Sequence, residues 1–65
     1  MKTESLVSKL TDITENYVNG NKSDFREAVK KLSKIDLLYL VEYMKDETSY
    51  TTQEILGILK HALTN

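Results

Sequence analysis

Leu6, Val7, Leu10, Ile13, Tyr17 and Val18 recur at intervals of three and four residues, with Ser8, Lys9, Asp12, Glu15 and Asn16 falling between them. A helix of about 3.6 residues per turn gathers the first set on one side and the second on the other, which predicts an amphipathic helix over about residues 3–19. Asn19 and Gly20 then end it, since both residue types tolerate the left-handed backbone that closes a helix. Asn-Gly also serves hairpin turns, but no alternating pattern flanks this pair.

Phe25, Ala28, Val29 and Leu32 form the next apolar stripe. Asp24 with Glu27 three residues on reads as a capping start, so a second helix is expected over about residues 24–32. Ser33 with Asp36 repeats the signal and predicts a break near residue 33, with a third helix over about 34–47. One continuous helix through Ser33 is the alternative. The polar connector "ETSY" follows, and Thr51 with Glu54 is the best capping box in the chain, opening a last helix over about 52–63. That helix carries Ile55, Ile58, Leu59 and Ala62 on one side, widened by Leu56 and Leu63. With no proline and no strand pattern, residues 1–65 read as a single all-α domain, a bundle of three to four helices.

The stretch "IDLLYLVEYM", Ile35 to Met44, is too apolar for one buried face. Leu37, Leu40, Val41 and Met44 make a core stripe; Ile35, Tyr39 and Tyr43 line a second face beside Asp36, Glu42 and Asp46, and Leu38 sits apart from both. Two readings follow: a central helix touched on two sides by neighbours, or an interface presenting Ile35, Tyr39 and Tyr43. Leu56 and Leu63 point the same way, because the sequence reaches Asn65 without supplying another element to cover them.

Size sharpens this expectation. A 65-residue chain buries only roughly 60% of the surface its unfolded form exposes, and such domains commonly need a disulfide, a metal or a partner. There is no cysteine and one histidine. Glu54 and His61 could give a metal at most two ligands, so no metal or cofactor is expected. A homodimer through Ile35, Tyr39, Tyr43, Leu56 and Leu63 is therefore predicted, although a different protein using the same surface would leave the same sequence pattern. No apolar run approaches the ~20 residues of a membrane span, and the first residues lack the apolar core of a signal peptide. A cytoplasmic protein without membrane attachment is expected.

Net charge is −1, yet residues 22–34 sum to +3 while residues 1–21 sum to −1 and 35–65 to −3. Lys22, Arg26, Lys30, Lys31 and Lys34 supply this cluster, and helical spacing sets Arg26 and Lys30 away from Phe25 and Val29 as a basic ridge. It can dock on an acidic protein surface or contact phosphates. The near-cancelling total charge favours the protein.

Catalytic signatures are missing from the sequence. His61 falls on the polar side of the last helix, no Gly-rich phosphate loop occurs, and the segment around Gly20 puts Arg26 where a calcium loop needs Glu. Neither an enzyme nor a small-molecule substrate is expected. Gly57, a helix-interior glycine beside Lys60 and His61, is either tolerated drift or a point of close approach by a partner backbone.

The segment "LSKIDLLYLVEYMKDETSYTTQEILGIL", under half the chain, resembles the opening of a helix-turn-helix or winged-helix domain. That resemblance implies a dimeric nucleic-acid regulator with a recognition helix still to come, for which the sequence offers Lys60 and His61 as readers. The reading favoured by the residues themselves is a small regulator, inhibitor or adaptor that binds protein. Lysine outnumbers arginine eight to one, a bias of AT-rich genomes such as those of phages and mobile elements.

Overall fold

The computed structural model describes residues 2–64, with side chains described over 6–64. Four helices follow in chain order: α1 (Lys2–Val18), α2 (Lys22–Lys30), α3 (Lys34–Glu47) and α4 (Thr52–Thr64). No strand occurs among the described residues. The expected all-α bundle is what forms, with four helices.

Each boundary has a local cause. At the end of α1, Gly20 takes φ +90, its N–H donates to the Tyr17 carbonyl at 3.2 Å, and the Asn21 N–H reaches back to the Asn16 carbonyl at 2.8 Å. Together these are the paired bonds of a Schellman closure. The chain enters α2 immediately afterwards. Asn21 occupies the N-cap without a side-chain cap bond, and its carbonyl already accepts from the Phe25 N–H at 3.0 Å. This corrects the expected start at Asp24: the capping pair with Glu27 does not form, because the closure at Gly20 hands the chain to α2 two residues earlier. Asp24 sits instead in the first turn, where a carboxylate complements the helix dipole.

The second helix also ends early, at Lys30 rather than Leu32. The N–H groups of Lys31 and Leu32 bond three residues back, to Ala28 and Val29 at 3.1 Å each, a tightened last turn. Ser33 then caps α3 by accepting from the Asp36 N–H at 3.2 Å, so α2 and α3 are separate helices. After α3, the Thr48 hydroxyl donates to the Met44 carbonyl and accepts from the Tyr50 N–H at 3.2 Å. At α4 the capping box is complete: the Thr51 N–H donates to the Glu54 carboxylate at 2.8 Å, and the Glu54 N–H to the Thr51 hydroxyl at 3.2 Å.

α2 packs on α1 and α4, while α3 packs on α4 and more lightly on α1. The core between them is Leu10, Ile13, Phe25, Val29, Leu40, Val41, Met44, Ile55, Leu59 and Ala62. All four helices therefore contribute to it. Phe25, Leu40, Met44, Ile55 and Val29 are fully buried, each worth about 1.5–3 kcal/mol of removed apolar surface. The radius of gyration, 10.8 Å, matches the ~10.7 Å expected of a compact chain of this length. Two α1 residues depart from the expected stripe: Val7 and Val18 are exposed, because they flank the Leu10–Ile13 line rather than continue it.

Candidate interaction surfaces

Two surfaces stand out, one apolar and one of mixed aromatic and cationic character. The apolar one lies along α3 and α4. Leu37, Leu38, Val41, Leu56, Leu59 and Leu63 line an open groove of about 390 Å³ there, joined by Lys60 and Thr64. Leu38 is 65% exposed, Leu56 50% and Leu63 45%. Ile35 and Tyr39 continue the apolar surface one helix face further round α3, and both are exposed. Leu38 is the residue that sequence reasoning left unplaced. Helical spacing gave it no partner on its own helix; the groove it lines is completed by Leu56, Leu59 and Leu63 of α4.

Tyr43 behaves differently from Ile35 and Tyr39. Its side chain is half-buried, packs against the core, and its hydroxyl lies 2.8 Å from that of Thr11. The Thr11 proton is committed to the Val7 carbonyl at 2.9 Å, so Tyr43 is the donor in this pair. The bond ties α3 to α1 within the chain.

The second surface is a trough of about 420 Å³ between α2 and α4, closed at the back by α1, with Tyr17, Lys22, Phe25, Arg26, Gly57, Ile58, His61 and Ala62 along it. Its floor is aromatic. Phe25 is buried, and the rings of Tyr17 and Phe25 are 4.9 Å apart at 55°. Tyr50, from the connector read as merely polar, meets Tyr17 edge-on at 5.9 Å, and Lys22 Nζ stands 4.6 Å above the Tyr17 ring in cation–π geometry. Tyr50 was missed because a lone aromatic in a loop carries no periodic signal.

The basic residues divide between surfaces. Lys22 and Arg26 line the trough, and Arg26 is partly buried beside Phe25 instead of standing clear of it. Lys31 lines a different depression with Lys9, Asp24 and Glu27, where opposite charges offset it. Lys30 and Lys34 are exposed at the end of α2 and the start of α3.

Gly57 forms part of the trough wall, and a Cβ built on it would meet nothing within 4 Å. Its own chain gives no reason for a glycine that costs a helix about 1 kcal/mol relative to alanine. No group of three or more acidic or histidine side chains able to hold a metal occurs among the described residues, and no described helix is long and apolar enough to cross a membrane. Comparison of the chain with protein-family models, with curated proteins and with solved structures returns no match.

Proposed function

We propose that this chain is a small, non-enzymatic interaction protein that forms a homodimer through α3 and α4 and binds a protein partner as a regulator, inhibitor or adaptor. The observation that carries the reading is the joining of Leu38, Leu56 and Leu63 around one open groove, with Ile35 and Tyr39 exposed beside it. Apolar surface gathered in this way marks association sites, whereas scattered exposed leucines do not. A second copy is the occupant we favour. An isologous pair places the same ridge and groove on both sides, so the Leu38 and Leu63 rims of one copy can enter the groove of the other. A standard interface of roughly 800 Å² per partner would use about a sixth of the 4691 Å² that one chain exposes. Two adjacent helix faces can supply that area.

Lys30 and Lys34, exposed at the end of α2 and the start of α3, then remain for electrostatic docking of a further protein. The offsetting of Lys31 by Asp24 and Glu27 supports a protein over a nucleic acid, since a duplex backbone rewards an uninterrupted basic stripe.

Light scattering over a concentration series tests the dimer. Wild type is expected at twice the 7.5 kDa chain mass, and Leu38→Lys/Leu56→Lys at the chain mass with its helicity intact, because both positions are exposed in the single chain. Wild type at the chain mass throughout the series would sink the self-association.

A further inference from the structure

We propose that the trough between α2 and α4 is a binding site for a small amphipathic anion: a carboxylate or phosphate carried on an aromatic or branched aliphatic body. Three independent features converge on this class. The space, about 420 Å³, falls in the range of roughly 300–1,000 Å³ typical of small-ligand sites. Its floor, Tyr17 and Phe25 with Ile58 and Ala62 opposite, suits a flat or branched apolar body. One edge holds Lys22 and Arg26, four residues apart on α2 and therefore side by side, and the other holds His61 on α4.

Charge selects the ligand's other end. Among the described residues, every ionisable side chain of the lining other than the Tyr17 phenol is basic, so an anionic head meets attraction there. Lys22 is already held over the Tyr17 ring at 4.6 Å, and Arg26 is partly buried against the apolar floor. Both cations are thus placed before any ligand arrives, which lowers the ordering cost of binding.

Gly57 adds to these three. It is a helix-weakening residue on the trough wall with open space where a side chain would stand. A ligand body lying along α4 requires that space; the bundle alone does not.

The test is a titration of the full chain, labelled with nitrogen-15, with 1-naphthaleneacetate, 1-naphthyl phosphate and the uncharged 1-naphthaleneacetamide, followed through backbone amide shifts. At least one anion is expected to give saturating shifts centred on Lys22, Arg26, Gly57 and His61, and which of the two binds tighter identifies the head group. The amide is expected to bind about tenfold more weakly or worse, as is the anion to Lys22→Gln/Arg26→Gln, the loss of a charge-assisted contact. Gly57→Leu is expected to abolish binding by filling the trough, with Gly57→Ala as the folded control. No saturation at millimolar probe, equal affinity for the amide, undiminished binding to Gly57→Leu, or shifts centred on the α3–α4 groove would each overturn the site.

Discussion

At the scale of single residues, two positions carry a cost that the bundle itself does not explain. Gly57 is one. With nothing within 4 Å of its Cβ position, Gly57→Ala relieves helix-interior glycine without steric conflict and is expected to stabilise the chain by about 1 kcal/mol. In a domain this small that corresponds to a rise of roughly 4–8 °C in Tm. Thermal unfolding by circular dichroism reads it, and a fall in Tm would mean that the glycine serves the fold after all. Thr14 is the other. It is 6% exposed, and its hydroxyl oxygen is buried without a hydrogen-bond partner. An unpaired buried hydroxyl loses its hydration for nothing, at about 1–3 kcal/mol. Thr14→Val replaces it with a methyl of similar shape and is expected to stabilise by about 1 kcal/mol, while Thr14→Ser keeps the hydroxyl, loses the methyl, and is expected to destabilise. If both variants fall below wild type, the hydroxyl is satisfied in the folded chain.

At the scale of elements, legibility in the sequence followed the range of the forces involved. The capping box at α4 could be read directly because all its partners lie within four residues: Thr51 and Glu54 exchange both bonds. So could the Ser33 cap that separates α2 from α3 and the glycine closure of α1. The start of α2 could not, because two local signals competed. The closure at Gly20 fixed where the chain re-enters helix, and the Asp24–Glu27 signal was left inside the first turn. The surfaces were less legible still. Leu38 shares a groove with Leu56 and Leu63 only across two helices, and Tyr50 meets Tyr17 only once the α3–α4 connector has been brought to α1; neither juxtaposition is written in a periodic pattern. The α4 box gives a quantitative check. Thr51→Ala and Glu54→Ala are each expected to cost about 1 kcal/mol. The double variant should cost less than their sum, because either change removes half of one reciprocal arrangement. Asn21→Ala, at a cap without a side-chain bond, should cost under about 0.5 kcal/mol. Chemical denaturation of the four variants decides it, and a fully additive pair would show that the two cap bonds act independently.

At the scale of the whole molecule, the question is which apolar residues belong to the single chain and which to an assembly. Tyr43 is tied into the single chain: its bond to Thr11 joins α3 to α1, so Tyr43→Phe should lower stability by about 1 kcal/mol and leave the proposed self-association unchanged. Ile35, Leu38 and Tyr39 do nothing comparable inside the bundle, and a charge placed there should act on assembly alone. Electrostatics adds a constraint that separates the competing partners. Residues 35–65 carry −3, so two copies joined through α3 and α4 bring like charges together, at a cost that salt screens over a Debye length of about 10 Å at 0.1 M. Apolar contact must outweigh that repulsion, and it should do so more easily as salt rises. A nucleic-acid complex held by Lys22, Arg26, Lys30, Lys31 and Lys34 would respond in the opposite sense, because counterion release makes it weaken steeply with salt. The expected outcome is therefore a dimer whose Tm rises with chain concentration, as mass action requires of a stabilising self-association, and whose dissociation constant falls between about 0.05 and 0.5 M salt. Sedimentation equilibrium across that range measures it. A dimer that loosened with salt would mean that opposite charges hold it, with the basic α2 of one copy against the acidic C-terminal half of the other, and the contact would then have to be moved from the leucine groove to that pairing.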